Sequence, residues 1–213
     1  MFLLEYIKNP RKVGAIAPSS KYLAYEMINT INFQDTNCIV EYGPGTGVFT
    51  EKILARAKET TKIILIEVNK TFYNILQELY GHKRNVIILN DSAENIKDIL
   101  KMHSIEKVDY IISGLPFASL PKTVSDCILD RSSEVLSKHG EFITFQYTLV
   151  KKKYIESFFR NMNHRKVVKN FPPAYVLKCK GDKYDRKDIS SRWWKRNQRF
   201  NWDIFAVRRL LYR

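Results

Sequence analysis

The chain has few cysteines and no long apolar run, and each absence restricts its class. Cys38, Cys127 and Cys179 are odd in number and lack the spacing of metal ligands, which predicts a reducing cytoplasm and no metal site. No apolar segment approaches the roughly 20 residues of a membrane-spanning helix. Residues 1–4 are too short for the apolar region of a secretion signal, and Glu5 follows them. We therefore expect a cytoplasmic protein whose contact with a membrane is peripheral.

Acidic residues are also scarce relative to basic ones. The 213-residue chain has a formal net charge of +14. Such an excess favours polyanionic partners, either nucleic acid or an anionic membrane surface, and does not separate the two. The length suits one domain with a full core, and we find no internal repeat and no low-complexity linker. We therefore expect a single globular domain.

What the sequence does contain is an apolar strand followed by glycines at alternate positions, CIVEYGPGTG in Cys38–Gly47. Cys38-Ile39-Val40 reads as a buried parallel strand, and the glycines predict a sharp turn that a ligand can approach closely. In an open α/β sheet, ligands bind at this carboxyl end of a strand. The third glycine comes one residue earlier than in the G-x-G-x-x-G dinucleotide fingerprint, so a pyrophosphate site is not favoured. A tight turn without a ligand is the alternative interpretation.

The rest of the chain alternates strand-like apolar runs with helical spacing. The runs assigned as further strands are Lys62–Glu67, Val86–Asn90, Val108–Ser113 and Glu141–Tyr147. The helical segments include Lys21–Ile31, Val48–Ala57 and Val124–Leu136. Lys166–Phe171 and Tyr175–Cys179 flank two prolines and are predicted to pair antiparallel. This rhythm predicts an α/β fold, a doubly wound and mostly parallel sheet with an antiparallel closing hairpin.

Three successive strands end in an acid at the same edge of the predicted sheet: Glu41, Glu67 and Asp91. Strand ends converge on one crevice in a doubly wound sheet, so the three side chains should face a common ligand. A carboxylate after the second strand can accept two hydrogen bonds at once, as ribose hydroxyls require, and Asp91 is placed to accept from an adenine amino group. The alternative is that each acid is a solvated residue at the start of a loop.

The pattern E-x-G-x-G-x-G at Glu41–Gly47, with these acids, resembles the class I S-adenosylmethionine-dependent methyltransferases over Asn37–Tyr147. The resemblance implies a Rossmann-like, seven-stranded fold and S-adenosylmethionine as cofactor. It places the methionine part at the glycine loop, the ribose at Glu67 and the adenine at Asp91. The residues assigned to the cofactor on this basis are Glu41, Tyr42, Gly43, Gly45, Gly47, Glu67, Val68, Asp91, Ser92, Ala93 and Ser113.

The loop after the fourth strand, Ser113–Phe117, resembles motif IV of amino methyltransferases and the N-L-P-[Y/F] motif of the rRNA adenine dimethylases. Gly114 stands where those dimethylases have asparagine, so the amide that would hold a nucleobase amine is missing. Gly-Leu-Pro is instead similar to the bacterial phospholipid N-methyltransferases. An upstream segment, GAIAPSS in Gly14–Ser20, resembles the G-A-[IV]-x-P-S-S segment of the same family. Ser19 and Ser20 are therefore expected on the substrate side, or else only cap the following helix.

The resemblance implies methyl transfer to the amine of an aminophospholipid, such as phosphatidylethanolamine and its methylated forms, at the membrane surface. The reaction needs mainly alignment of the amine lone pair and loss of the amine proton. The expected catalytic residues are Gly114, Leu115, Pro116, Phe117 and Tyr147. Tyr147 would orient the amine or relay its proton, or is simply a core tyrosine. Phe117 and Tyr147 could hold a trimethylated nitrogen by cation–π contact.

The chain divides into three predicted parts. Residues 1–36 form a helical segment facing substrate or membrane, 37–179 the cofactor-binding core, and 180–213 a basic and aromatic extension that carries half of the net charge. Apolar residues recur in the extension at helical spacing, which predicts an interfacial helix. The residues expected to meet the membrane there are Trp193, Trp194, Arg196, Phe200 and Trp202. Packing on the sheet or a second subunit, or single-stranded RNA binding, is the alternative.

Two other functions stay open. An RNA adenine N6-methyltransferase would use the positive charge to bind phosphates. Gly114 argues against it, as does the short stretch after Tyr147, where the rRNA dimethylases have a separate helical RNA-binding domain. A cofactor-binding scaffold or RNA-binding factor without activity is disfavoured by the intact glycines and acids.

Overall fold

The computed structural model describes residues 21–182 and contains a seven-stranded sheet of order β3-β2-β1-β4-β5-β7-β6. The strands are β1 (Cys38–Tyr42), β2 (Lys62–Ile66), β3 (Val86–Leu89), β4 (Val108–Ser113), β5 (Leu136–Gln146), β6 (Phe159–Val167) and β7 (Ala174–Asp182). The helices are α1 (Lys21–Ile28), α2 (Val48–Leu54), α3 (Lys70–Tyr80), α4 (Ile96–Met102), α5 (Lys122–Val135) and α6 (Lys152–Glu156). Strands β1 to β5 pair in parallel, and β7 is antiparallel to both β5 and β6. The predicted α/β fold class is confirmed.

The sheet is covered on both faces, which explains why its strands are apolar on both. One cluster of buried side chains joins the sheet to α4, α5 and α6, through Ile99, Ile128 and Ile155. The other joins the opposite face to α1, α2 and α3, and includes Phe49 of α2 and Leu76 of α3. A parallel sheet buried in this way needs continuous hydrophobic runs, and β1 is accordingly buried along its whole length.

The order of the strands reverses between β1 and β4. Strands β2 and β3 follow β1 outward on one side, and β4 and β5 lie on the other. The loops after β1 and β4 therefore leave the sheet in opposite directions and open a crevice at the carboxyl ends of the strands. This position coincides with the glycine-rich turn.

Several predicted boundaries are wrong, and the errors have a physical cause. Strand β5 begins at Leu136, upstream of the expected Glu141. Strand β6 spans Phe159–Val167, so the residues assigned to it, Lys166–Phe171, mostly form the turn before β7. Strand β6 lies at the edge of the sheet, and most of its side chains are exposed and polar, which removed the apolar signal.

Two short helices were not predicted from the sequence, α4 and α6. Helix α1 ends at Ile28, three residues before its predicted end, and β7 continues to Asp182, past the expected core boundary at residue 179. Among residues 21–182, no helix combines the length and the apolarity needed to cross a membrane. The N-terminal residues 1–20 and the extension from residue 183 lie outside the described part of the chain.

Candidate functional site

The glycine-rich turn joins β1 to α2 and depends on positive backbone dihedrals. Gly43, Gly45 and Gly47 have φ values of 61°, 57° and 84°. A Cβ at Gly43 would lie 3.0 Å from the Leu115 side chain, and one at Gly47 would lie 3.1 Å from the Tyr80 ring. A Cβ at Gly45 would meet nothing within 4 Å. The turn is therefore packed at both ends and has open space beside its middle glycine, where a ligand can approach the backbone.

Glu67 holds this turn in place. One carboxylate oxygen, Oε2, accepts a hydrogen bond of 3.0 Å from the Gly45 backbone N–H, and Oε1 accepts one of 2.8 Å from the Asn69 N–H. Burial raises the pKa of Glu67, and its hydrogen bonds to backbone N–H groups oppose that rise. Each carboxylate oxygen retains a second lone pair that a ligand can use. The role predicted for Glu67, binding the cofactor ribose, stays a prediction.

Two asparagines that the sequence did not single out support the same loop. Asn69 caps α3, its side chain accepting hydrogen bonds from the Thr71 and Phe72 N–H groups. The Asn90 side chain, just after β3, donates to the carbonyl oxygens of Glu67 at 2.8 Å and Val68 at 3.1 Å. Their positions next to strand ends were the available signal. Side-chain bonds of this kind connect the ends of β2 and β3 into one surface.

Glu41 is fully buried beneath the turn. Its Oε2 accepts a 2.7 Å hydrogen bond from the Thr50 hydroxyl, whereas Oε1 has no partner among the described residues. Burial raises the pKa of Glu41 to about 8; the charge of Glu67 adds to the rise, and the Thr50 hydrogen bond lowers it. Buried polar atoms are nearly always hydrogen-bonded, so this unpaired oxygen is a candidate partner for a ligand group.

Asp91 and Ser92 lie just after β3, at the same edge of the sheet, and are half-buried. The Asp91 Oδ1 accepts from the Ser92 N–H at 2.7 Å and from the Asn95 side chain at 2.8 Å. Ser92 caps the short 3₁₀ turn Ala93–Asn95, and Ala93 itself is buried in the core. These two hydrogen bonds fix the orientation of the Asp91 carboxylate. Adenine binding by Asp91 stays a prediction.

Neither Tyr42 nor Ser113 presents its side chain to open space. Both are fully buried, and the Tyr42 hydroxyl lies 3.1 Å from the Ser132 hydroxyl in the core on the α5 side of the sheet. The Ser113 hydroxyl accepts from the Leu115 N–H at 3.3 Å. The Tyr42 carbonyl oxygen accepts from the Gly114 N–H at 2.9 Å, and the assignment of Tyr42 to the cofactor stays a prediction.

The loop after β4 packs directly on the glycine-rich turn. Besides the hydrogen bond between Gly114 and Tyr42, a Cβ at Gly114 would lie 2.8 Å from the Gly43 carbonyl oxygen. The Leu115 side chain covers Gly43 from the same loop. Backbone therefore touches backbone at Gly114, and the two motifs form one unit. The half-buried Pro116 stiffens the segment that follows.

The predicted aromatic pair is not brought together. Phe117 is fully buried in the cluster on the α4 to α6 side, with its ring edge-to-face against Phe142 at a centroid distance of 6.0 Å. Tyr147 packs against the cluster on the opposite face, edge-to-face with Phe145 at 5.7 Å. The prediction that Phe117 walls the acceptor pocket and shares a cation with Tyr147 is corrected on this point, because the sheet separates the two rings.

Tyr147 is half-buried directly after β5, at the carboxyl edge of the sheet. Its hydroxyl oxygen is buried and makes no hydrogen bond of normal geometry, although Asn170 is close enough to lower its pKa. Burial has the larger effect and raises the pKa of Tyr147. The hydroxyl therefore keeps its proton at neutral pH and is suited to orient a polar group, not to act as a base.

The remaining predicted contacts lie outside the described residues. These are Ser19 and Ser20 upstream of α1 and, in the C-terminal extension, Trp193, Trp194, Arg196, Phe200 and Trp202. They stay predictions.

Comparisons with known proteins agree with this geometry. The family model for ribosomal RNA adenine dimethylase matches residues 19–163. The ornithine lipid N-methyltransferase of Singulisphaera acidiphila is 28% identical over 185 residues, covering 86% of this chain and 96% of the relative. The ribosomal RNA small subunit methyltransferase A of Sulfurihydrogenibium sp. is 26% identical, covering 57% of this chain and 46% of that protein. For the same enzyme of Borreliella burgdorferi, at 26% identity, the two shares are 95% and 76%.

Solved structures support the fold. The precorrin-6y C5,15-methyltransferase of Geobacter metallireducens superposes with a TM-score of 0.61 at 13% identity, covering 76% of this chain and 89% of that one. TrmK of M. capricolum, solved with S-adenosyl-homocysteine, gives a TM-score of 0.57 at 14% identity, covering 80% of this chain and 74% of that one.

The residues present fit the cofactor of such enzymes, because the turn is open at Gly45 and the buried Glu41 beneath it has an unpaired oxygen. Glu67 directly follows β2, and Asp91 lies two residues after the end of β3, at the same edge of the sheet. With the match over residues 19–163, these features show that the chain belongs to the ribosomal RNA adenine dimethylase family of methyltransferases and that its cofactor is S-adenosylmethionine.

Proposed function

We propose that this methyltransferase acts on the amine of a membrane lipid, namely an aminophospholipid such as phosphatidylethanolamine and its methylated forms. The observation that carries the proposal is the contact at Gly114. The dimethylase motif has asparagine at this position, and here a Cβ would lie 2.8 Å from the Gly43 carbonyl oxygen. A loop that excludes a side chain cannot present an amide to a nucleobase, but it leaves the path to a small primary amine open.

The relatives support a lipid acceptor through coverage. The match to the ornithine lipid N-methyltransferase spans nearly the full length of both proteins, whereas the chain spans less than half of the Sulfurihydrogenibium rRNA enzyme. Ornithine lipid and phosphatidylethanolamine both present an amine on a lipid. That shared chemistry defines the proposed substrate class.

The residues of the chain need to do little beyond binding and orientation. S-adenosylmethionine supplies an electrophilic methyl group when bound. A lipid amine with a pKa of about 10 is mostly protonated in water, and a site with little water favours its neutral form. In our proposal the Tyr147 hydroxyl, which lies close to the Asn170 side chain, orients that amine after deprotonation. The amine releases its proton to solvent before the methyl group is transferred.

We also propose that the protein works at the cytoplasmic face of the membrane, bound peripherally to anionic lipid. The net charge of +14 supplies the attraction. Under this proposal, the segment that contains Ser19 and Ser20 and the extension that contains Trp193, Trp194 and Trp202 add lipid contacts.

RNA adenine N6-methylation is the second candidate. Two observations favour it: the family model that matches is that of the rRNA adenine dimethylases, and the match to the Borreliella enzyme spans 95% of this chain. The positive charge would then bind phosphates.

One assay separates the candidates. The purified protein would receive methyl-labelled S-adenosylmethionine with vesicles of phosphatidylethanolamine, vesicles containing ornithine lipid, vesicles of phosphatidylcholine, or unmodified ribosomal RNA. We expect label in one or both amine lipids and none in phosphatidylcholine, which has no methylatable amine. Mass spectrometry of the product then counts the methyl groups added. Label in RNA adenine with none in lipid would reverse the ranking.

A further inference from the structure

Apolar side chains are unusually exposed at one edge of the protein. Phe171 and Val150 are 89% and 84% exposed, and Val168 is 69% exposed. Phe171 and Val168 lie in the turn between β6 and β7, and Val150 lies in the loop after β5. We name this surface, residues 148–153 together with 168–173, the hairpin edge.

Strand pairing places the two segments side by side. Gln146 at the end of β5 pairs with Tyr175 of β7, and Val167 at the end of β6 pairs with Ala174 of β7. The loop after β5 and the turn after β6 therefore leave the sheet at the same edge, which is also the edge of the cofactor crevice. The N-terminal turn of α1 reaches this edge, since the Lys169 ammonium lies 4.9 Å from the centre of the Tyr22 ring.

The hairpin edge is basic and contains no acid. Its lysines, with one from the end of β6, are Lys151, Lys152, Lys153, Lys166 and Lys169. Neither residues 147–153 nor residues 166–173 include an aspartate or a glutamate. Exposed apolar groups flanked by lysines match an anionic bilayer, which takes up the apolar groups while its headgroups attract the cations.

The hairpin edge also borders the acceptor side of the site. Tyr147 is the residue directly before it, and Asn170 in its second segment lies close to the Tyr147 hydroxyl. A bilayer against this edge would present its headgroups beside Tyr147.

We propose that the hairpin edge inserts its apolar side chains into an anionic membrane and so places the site at the lipid headgroups. This inference deepens the proposed function and rests on it for its purpose. Two of the three exposed side chains are aliphatic valines, which gain from hydrocarbon but not from stacking on nucleobases. The bilayer is therefore favoured over RNA as the partner.

Direct contact can be measured on the full-length chain with a fluorophore at one position. Cys38 and Cys179 are buried, so Cys127→Ser leaves Phe171→Cys as the accessible thiol in residues 21–182. A nitrobenzoxadiazole label at position 171 should show blue-shifted emission with phosphatidylglycerol vesicles and be quenched by spin-labelled lipid. Met102→Cys in the same background is the control, because Met102 is 69% exposed at the end of α4.

A second measurement tests the contribution to binding. Val150→Ser, Val168→Ser and Phe171→Ser together should reduce partitioning into these vesicles about ten- to hundredfold. The matched control, Leu79→Ser with Met102→Ser, should partition like the parent. Binding of S-adenosyl-homocysteine should be unchanged in both, which shows that each variant is folded.

Each outcome decides the proposal. Quenching at position 171 with reduced partitioning of the triple variant supports it. A label that stays in water, or a triple variant that binds vesicles like the parent, overturns it, and a label that responds to RNA alone assigns the surface to RNA. Lipid methylation by a protein whose label stays in water leaves the proposed function standing without this surface. Insertion of the label without methylation of any lipid would support the hairpin edge as a membrane surface and overturn the proposed function.

Discussion

The two sides of the crevice are built differently. On the cofactor side, after β1 to β3, side chains hold the backbone of the loops: Glu67 binds Gly45 and Asn69, and Asn90 binds Glu67 and Val68. On the proposed acceptor side, after β5 and β6, the Tyr147 hydroxyl lies close to Asn170 and the neighbouring loops expose apolar groups. The described loops on the cofactor side are thus held by side chains, whereas the loops after β5 and β6 expose apolar groups. We propose that this second surface meets the acceptor.

The largest effect should follow from a substitution of Glu67, which holds the loops on the cofactor side. Glu67→Ala removes the acceptor of two backbone N–H groups and any bond to the ribose, at a cost of roughly 1.5–3 kcal/mol, so cofactor affinity should fall about ten- to hundredfold. Titration calorimetry with S-adenosyl-homocysteine measures this loss. Glu67→Gln, which keeps one oxygen acceptor, should lose less. A folded alanine variant with the affinity of the parent would contradict the assignment.

A variant at the junction of the two sides should show the next effect. Gly114→Ala places a Cβ against the Gly43 carbonyl oxygen, and overpacking of this kind typically costs about 1–3 kcal/mol. We expect a lower free energy of unfolding by denaturant titration, together with weaker cofactor binding, because the glycine turn must shift. Gly114→Asn should also reduce lipid methylation without creating activity on RNA. Gly45→Ala is a control for space, since a Cβ there meets nothing and only the positive φ of Gly45 is strained.

The buried acid beneath the turn should make stability depend on pH. The pKa of Glu41 is raised from its ordinary value of 4.5 to about 8, so the folded protein holds a proton that the unfolded chain releases above pH 4.5. Its contribution to stability is thus fully present below pH 4.5 and is lost as the pH rises to about 8. The slope is at most about 1.4 kcal/mol per pH unit. Melting temperatures of the cofactor-free protein should fall across this pH range, and they should fall less for Glu41→Gln. If the two proteins show the same dependence of melting temperature on pH, the titrating group is not Glu41.

The smallest effect on stability should come from a substitution of Tyr147, which lies directly after β5. Tyr147→Phe removes a buried hydroxyl that lacks a hydrogen bond of normal geometry, so the free energy of unfolding should change by less than about 1 kcal/mol. If Tyr147 orients the acceptor amine, the same variant should methylate lipid more slowly while cofactor affinity stays constant. Kinetics with saturating S-adenosylmethionine test this separation, and an unchanged rate would return Tyr147 to a packing role.

The cofactor side could be predicted from the sequence because its demands are local. A positive φ selects glycine at Gly43, Gly45 and Gly47, and buried parallel strands must be continuously apolar. Side-chain direction was the missing information. Adjacent residues of a strand point to opposite faces, so Tyr42 had to face away from Glu41. That alternation was available in the sequence and would have placed the Tyr42 side chain in the core.

The acceptor side could not be predicted in the same way. The position of Phe117 depends on packing against Phe142 of the neighbouring strand β5. The sequence motif around Phe117 contains no information about that contact. Strand β6 was misplaced because an exposed edge strand needs few apolar residues. The hairpin edge became visible only when strand pairing brought Val150 and Phe171 to one edge.

The contact at Gly114 has a consequence for how enzymes of this fold diversify. A backbone N–H and a backbone carbonyl, 2.9 Å apart, join the loops after β4 and β1. This hydrogen bond uses main-chain atoms only, so side-chain substitutions elsewhere in the protein leave its two groups in place. Side chains around β5 to β7 can therefore be exchanged while this main-chain junction stays in place.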